Sequence, residues 1–254
     1  MLIEERRDKI LQLLYKHKSV MVNELAQSLN TSVHTIRNDL SYLEKENLLR
    51  RTHGGAILNE KSIRRTFQSS VRYGESDDSQ HAIAKEAAQH IEEGTTVYIG
   101  GSTTHYLMLQ YINTSMNFTV VTNSLKIAIE LSTVSNIDCY IVGGKVPYSA
   151  NTNGSLTLEL MRQFNFDTSF INTGIDAFSG LTTSNPEVAL IQKAIIKQSK
   201  RVIFLGNHYR VGITSFFNVC SLEKVHTIIF DSNVPEAEKD NYKENHKYIE
   251  IIQT

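Results

Sequence analysis

The chain has 254 residues, 41% of them hydrophobic and 21% charged, and a formal net charge of −1 at pH 7. Such a length is long for one domain and fits a small domain of about 60 residues joined to one of about 170 to 180. No apolar run approaches the roughly 18 residues of a membrane span, and a charge already stands at Glu4, so no segment reads as a signal peptide or membrane span and a cytoplasmic location is expected. The near-neutral total hides a split: residues 1–65 hold twelve Lys and Arg against eight Asp and Glu, and the remainder holds fourteen against nineteen. A mildly basic head suits DNA, which would repel the acidic remainder.

Three short amphipathic helices are predicted first. Ile10, Leu13 and Leu14 mark one face, Leu25, Ala26 and Leu29 a second, and Val33, Ile36, Leu40 and Leu43 recur at steps of three and four along a third. The polar break Asn30-Thr31-Ser32 offers Ser32 as the cap of the third helix. Its opposite face carries His34, Thr35, Arg37, Asn38 and Ser41, side chains of the types that bond phosphates and base edges in a major groove. Leu48 to Arg51 then suits a strand, His53-Gly54-Gly55 a tight turn and Ala56-Ile57-Leu58 a returning strand. The unit is therefore a winged helix-turn-helix over residues 1–58, with Arg50, Arg51, His53 and Gly54 beside the minor groove or the phosphates, adding affinity more than sequence choice.

Residues 59–79 read as a linker, basic at Lys61, Arg64 and Arg65, with one helical turn around Phe67, and then Gly74 to Ser79 without apolar periodicity. From residue 80 to 254 helix and strand alternate. Strands are predicted at 96–99, 119–121, 139–142, 169–172, 201–205 and 227–230, and helices at 83–91, 106–112, 125–131, 156–164 and 186–199, the last with Pro186 at a first helical position. Strands this apolar are covered on both faces, which gives an α/β domain with a largely parallel sheet.

Small polar loops follow the strands: Gly100 to Thr104, Thr122-Asn123-Ser124, Gly143-Gly144, Thr173 to Asp176, and Gly206-Asn207-His208. In a parallel sheet these ends face one way and converge on one crevice. Gly101, Ser102, Thr103 and Thr104, opening a helix, form a phosphate cradle, while Asn123, Asp176 and Glu187 are placed to bond sugar or polyol hydroxyls. Cys139 and Cys220 lack a paired motif and the nine histidines lack ligand spacing, so no disulfide and no metal site is expected.

The motifs Arg6-Arg7, Glu24-Leu25-Ala26, Ser32, Thr35-Ile36-Arg37, Asp39-Leu40, Leu43-Glu44 and Arg51 to Ala56 resemble the DNA-binding domain of the DeoR family of bacterial transcriptional regulators. The likeness continues through Ile83-Ala84, Gly94-Thr95, Gly101 to Thr104, Val121 to Ser124, Gly143-Gly144, Gly154, Gly174-Ile175-Asp176 and Gly180 to Thr183, which look like that family's effector domain. The resemblance implies a second domain of ribose-5-phosphate-isomerase-like fold that binds a phosphorylated sugar and thereby releases the regulator from its operator. The implied partners are double-stranded operator DNA, the phosphorylated sugar as effector, no bound cofactor, and further copies of the chain in a homodimer or homotetramer.

Contact positions depart from the family pattern. Asn38 stands where a second arginine is usual, Ile99 replaces the carboxylate before the first glycine loop, and Asn207 and Arg210 replace an aspartate and a lysine. Arg210 can still hold a phosphate bidentately. A sugar-phosphate isomerase is disfavoured because proton transfer needs a positioned acid or base. The expected function is a repressor of a carbohydrate-metabolism operon, the alternative being a DNA-binding regulator whose second domain only dimerises. The repressor reading expects Thr122, Ser124, Gly143, Gly144 and Gly174 to bind the effector together with Gly101 to Thr104, Asn123, Asp176, Glu187, Asn207 and Arg210.

Overall fold

In the structure, a computed structural model, residues 6, 7, 9–11, 13, 14, 19–45, 49–58, 76–147 and 149–254 are described. The chain divides into two units, Met1–Val71 and Arg72–Thr254. Leu48 and residues 59–75 of the expected linker, with Phe67 among them, lie outside the described residues.

In the first unit the described residues among 6–14 are helical. They are followed by β1 (Ser19–Met21), α1 (Val22–Ser28), α2 (Val33–Lys45), β2 (Leu49–Arg51) and β3 (Gly55–Leu58). Ile10, Leu14, Leu25, Ile36, Leu40, Leu43, Leu49 and Ala56 share one core, so the helices and the wing bury one another's apolar faces. The wing has three strands rather than the two expected, in the antiparallel order β1-β3-β2. Its close packing explains one glycine: a Cβ on Gly55 would lie 1.9 Å from the Val20 carbonyl oxygen. The buried stripe of α2 also differs from the one predicted. Val33, the first residue of the helix, is exposed, and Asp39 joins Ile36, Leu40 and Leu43 on the inner side.

The second unit is built on seven parallel strands in the order β13-β12-β10-β7-β4-β5-β6. These are β4 (Thr96–Ile99), β5 (Phe118–Thr122), β6 (Ile137–Ile141), β7 (Phe166–Ile171), β10 (Ser199–Gly206), β12 (Thr227–Phe230) and β13 (Glu250–Gln253). Alternate side chains enter two cores: Val97, Ile99, Val120, Ile203, Leu205 and Ile229 one way, and Tyr98, Val121, Val202, Phe204, Ile228 and Phe230 the other. Such a sheet is apolar on both faces because helices cover both. α3 (Asp78–Gln89), α4 (Thr103–Met108) and α5 (Leu125–Leu131) supply Ile83, Leu107 and Ile127 to the first core; α6 (Ser155–Met161) and α7 (Pro186–Lys197) supply Met161, Ile191 and Ile195 to the second.

Three features go beyond the predicted elements. A separate antiparallel sheet, ordered β11-β9-β8, contains β8 (Gly174–Asp176), β9 (Gly180–Thr183) and β11 (Phe217–Cys220). Residues 174–176, expected as a loop, are thus a strand. α8 (Glu236–Asn245) and β13 extend the domain past the last predicted strand.

Strand order positions the site. From β4 the chain lays β5 and β6 to one side, then returns to place β7 against the other side of β4 and continues outward through β10, β12 and β13. The order reverses between β4 and β7, and in open α/β sheets the crevice at that reversal, beyond the carboxyl ends of the strands, is where ligands sit.

A Gly55→Ala substitution should destabilise the first unit by about 1–3 kcal/mol, because backbone must move to admit the methyl group. Gly143→Ala, at a position where a Cβ meets nothing within 4 Å, should stay within about 0.5 kcal/mol of the parent. Urea unfolding of the two variants checks the contrast.

Candidate functional site

In the first unit, Ser32 caps α2 as expected: its hydroxyl accepts from the Thr35 backbone N–H at 3.0 Å and lies 2.8 Å from the Thr35 hydroxyl. His34, Arg37 and Asn38 are exposed along one side of α2, and Arg50, Arg51, His53 and Gly54 are exposed on the wing. Arg51 ties the two elements together, since its backbone N–H donates to Glu44 Oε1 at 2.8 Å and its Nη1 to Ser41 Oγ at 3.0 Å. Helix and wing therefore present their cations as one surface.

That helix is held from behind by an ion pair the sequence reading did not assign. Asp39, 2% exposed, accepts from Arg6 Nε at 2.6 Å and from Arg7 Nε at 3.0 Å. The Arg7 guanidinium also lies 3.7 Å from the centre of the Tyr42 ring. The paired arginines of the first helix are thus turned inward onto α2, while Arg37 stays out.

In the second unit the loops after β4, β5 and the 150–152 segment interlock. Asn123 does not stand open to a ligand. Its Oδ1 accepts from the Tyr98 hydroxyl at 2.9 Å, its Nδ2 donates to the Thr152 carbonyl at 2.9 Å, and its own carbonyl accepts from the Thr152 N–H at 2.7 Å. Thr122 Oγ1 accepts from the Ser124 N–H at 3.0 Å. Asn151, which the sequence reading missed, donates through Nδ2 to the Gly101 carbonyl at 2.9 Å and occupies the space a Gly101 Cβ would need. Ser124 pairs with Asn151 in an isolated bridge. Three buried polar atoms in these carboxyl-end segments have no hydrogen-bond partner: Ser124 Oγ, Asn151 Oδ1 and Asn207 Oδ1. Buried polar atoms are rarely left unpaired, and these three cluster in the loops at one edge of the sheet.

Ser102 is committed to capping. It accepts from the His105 N–H at 3.3 Å and contacts His105 Nδ1 at 2.9 Å. The other nitrogen of His105, Nε2, is 3.0 Å from the Phe170 carbonyl. A carbonyl only accepts, so Nε2 carries the proton, Nδ1 accepts from Ser102, and the ring stitches the start of α4 to β7 across the strand reversal. Thr103 is half-buried and Thr104 buried in the same turn.

The loop after β10 is fixed by another pair that sequence reasoning missed. Asp231, fully buried at the end of β12, accepts from the His208 N–H at 2.8 Å and from His208 Nδ1 at 2.9 Å through Oδ2, and from the Asn233 N–H at 2.8 Å through Oδ1. Tyr209 packs on the His208 ring at 3.8 Å. Its phenol is pushed up by partial burial, by the charges of Asp77 and Asp231 and by a hydrogen bond to Asp77, the N-cap of α3. Arg210 is exposed on this loop, and Ile99, at the position of the missing carboxylate, is fully buried.

The remaining predicted residues scatter. Gly143 and Gly144 follow β6 at the sheet's edge, the Gly143 carbonyl accepting from Thr157 Oγ1 at 2.9 Å. Gly174 begins β8, and Asp176 ends that strand with Oδ1 accepting from the N–H groups of Phe178 and Ser179, hydrogen bonds that outweigh its partial burial and hold its carboxyl below the usual range. Glu187 is exposed in the first turn of α7. A different concavity, of about 440 Å³, lies at the amino ends of the strands among Lys193, Lys197, Lys200, Lys224 and His226.

Comparison with known proteins agrees with this division. Residues 6–62 match the family model described as the DeoR-like helix-turn-helix domain, and residues 75–232 match the DeoR C terminal sensor domain. The HTH-type transcriptional regulator YulB of Bacillus subtilis is 32% identical over 93% of this chain and 92% of its own. The HTH-type transcriptional repressor GlcR of the same organism is 31% identical over 90% and 88%, and a lactose phosphotransferase system repressor of Staphylococcus epidermidis is 29% identical over 98% of each chain. Among solved structures, a ribose 5-phosphate isomerase from Methanocaldococcus jannaschii aligns with a TM-score of 0.39 at 11% identity, covering 53% of this chain and 54% of that one.

Replacing Asp39 by alanine should destabilise the first unit by about 3 kcal/mol, since it strands two arginines on a half-buried surface. Duplex binding should weaken through misplacement of α2. A thermal melt of the variant read alongside its DNA affinity separates that route from direct loss of a DNA contact, because Asp39 itself is buried.

Proposed function

This chain belongs to the DeoR family of transcriptional regulators, and we propose that it represses a carbohydrate-metabolism operon under the control of a phosphorylated sugar bound at the carboxyl edge of its parallel sheet. It is a DNA-binding regulator with a sensor domain, not an enzyme. The observation that carries the effector reading is the set of unpartnered buried atoms, Ser124 Oγ, Asn151 Oδ1 and Asn207 Oδ1, in the loops beside the strand reversal. Hydroxyls of a sugar would satisfy them, and Arg210 on the neighbouring loop would take the phosphate. One relative is by name a lactose phosphotransferase system repressor, which supports sugar chemistry for the effector.

The route from ligand to DNA begins at the 207–212 loop. Tyr209 reaches from that loop to Asp77, which caps α3; the helix starts at Asp78, inside the segment 59–79 expected as linker. An effector that repositions Asn207 and Arg210 would pull on this contact, and the two states of the loop would differ in how the start of α3 is held. A homodimer or homotetramer would place two heads on repeated half-sites, as single modules of this size make few base contacts.

The reading is tested with a fluorescent duplex from the region upstream of the protein's own gene. Binding should be salt-dependent, and one phosphorylated sugar in a panel should change the affinity at least fivefold. Insensitivity to the whole panel would leave the second domain as a dimerisation unit only. Arg37→Ala should cost about 1–3 kcal/mol on the specific duplex if the guanidinium reads a base edge, and an equal loss on every sequence would assign it to phosphate. Tyr209→Phe should keep effector binding and reduce the effect of the sugar on DNA affinity, measured as the ratio of the two dissociation constants.

A further inference from the structure

Charge in the second unit is unevenly placed. Residues 193–226 hold six Lys and Arg against Glu223 alone, which leaves eight against eighteen of the fourteen and nineteen found beyond residue 65. Four of the six, Lys193, Lys197, Lys200 and Lys224, line the concavity of about 440 Å³ at the amino ends of the strands, with Glu223 as the one carboxylate in its wall among the described residues. The volume is that of a small-molecule site.

The lysines come from two walls. Lys193 and Lys197 stand one turn apart on α7, and Lys224 ends the 3-10 turn Leu222–Lys224 that follows β11. Lys200 is held by Asp167 Oδ1 at 2.7 Å, and the other oxygen of that carboxylate accepts from the Thr96 N–H at 2.8 Å. The described residues give Lys193, Lys197 and Lys224 no ion-pair partner. Lys197 suits the carboxyl end of α7, where the helix dipole favours a cation, but that effect fades beyond the last turn and leaves the other two unexplained. Burial pushes the Cys220 thiol up to about 12 against the charges of Lys193 and Lys224, so no thiolate offsets the lysines. Ile196 and Val219 are buried in the same wall, and like charges over an apolar, low-dielectric surface focus a field that draws in anions. His226 adds a neutral donor: the Val202 N–H donates to its Nδ1 at 3.1 Å, so Nε2 carries the proton. Ser199 Oγ is spent on the Ile195 carbonyl at 2.6 Å, and none of the unpartnered buried atoms belongs to a residue of this wall. Recognition here is by charge rather than by matching of hydroxyls.

We propose that this hollow is a second ligand site, which takes a small anion bearing two or more phosphate groups. A single phosphate monoester carries about two negative charges, fewer than the three unpaired lysines present. Lysine ammoniums act as point charges toward phosphate, and those on separate walls are served by separate phosphate groups. The concave shape favours a small molecule over a duplex, whose backbone follows an extended surface. The site lies at the opposite end of the strands from the loops assigned to the sugar, so it is a separate input and does not depend on that assignment.

The test is calorimetric titration of the full chain, without DNA, with inorganic triphosphate and with inorganic monophosphate. Triphosphate should bind about tenfold more tightly than monophosphate and weaken as salt is added. The Lys193→Gln, Lys224→Gln double variant should bind triphosphate about tenfold more weakly. Lys85→Gln with Lys247→Gln, which removes two exposed lysines elsewhere, should change it by less than about twofold. Glu223→Gln should tighten binding, a gain that misfolding cannot imitate. Hydrogen exchange should slow on adding triphosphate in residues 193–200 and 219–226. No binding, equal weakening by the two double variants, or protection confined to residues 33–58 or to 100–104 and 207–212 overturns the proposal. Duplex affinity of the Lys193→Gln, Lys224→Gln variant should match the parent, and a uniform loss on every sequence would assign these lysines to DNA phosphates and overturn it as well. Failure of the sugar-phosphate reading looks different: triphosphate still protects the hollow while no phosphorylated sugar in the panel changes duplex affinity.

Discussion

A parallel sheet whose strand order reverses has an opening at the reversal, and the hydrogen bond from His105 Nε2 to the Phe170 carbonyl spans it here. Because β4 and β7 are neighbours whose following segments diverge, the peptide groups at their carboxyl ends lack the cover that a helix gives elsewhere. His105 holds one lip, Asn151 packs on Gly101 from the β5 side, and Asp231 ties down His208 from the β12 side. Each clamp consumes the polar capacity of its own residues and leaves Ser124, Asn151 and Asn207 with one unpaired atom apiece. The crevice is therefore held in shape by paired residues and lined by a few whose polar atoms have no protein partner.

The DNA-reading unit follows the same logic on a smaller scale. Thirteen buried apolar side chains form its core among the described residues, and the Arg6, Arg7 and Asp39 cluster adds orientation to it. Arg51, bonded to Ser41 and Glu44, fixes the wing on the other side of α2. The helix that carries Arg37 and Asn38 is thereby clamped on two sides, which gives its exposed residues a defined presentation.

The parallel strands were legible because each is a short apolar run, and three helices or strands, 96–99, 125–131 and 227–230, fall at the predicted residues. β1 was not, since three residues show no periodicity. β8, β9 and β11, with the sequences GID, GLTT and FNVC, are short and carry Gly, Asp, Thr and Asn, which read as turn and loop residues. α8, with the sequence EAEKDNYKEN, is polar nearly all round and buries only Lys239 and Tyr242. The glycine loops announced the crevice, but its clamps did not announce themselves: Asn151 acts 50 positions from Gly101, His105 acts 65 from Phe170, and Asp231 acts 23 from His208. Asp39 was visible as a motif without a role, because its partners lie 32 and 33 positions earlier. Asn123 was read for sugar hydroxyls, and its part in holding Tyr98 and Thr152 was not legible, as an amide's donor and acceptor serve both purposes equally well.

The central claim is that the sensor domain takes its effector at the carboxyl edge of the sheet and not at the lysine-lined hollow of the opposite edge. Hydrogen exchange of the full chain with and without the phosphorylated sugar that alters DNA affinity tests this directly. The account predicts slower exchange in residues 100–104, 122–124, 150–152 and 207–212. Protection confined to residues 193–200 and 223–226 would contradict it.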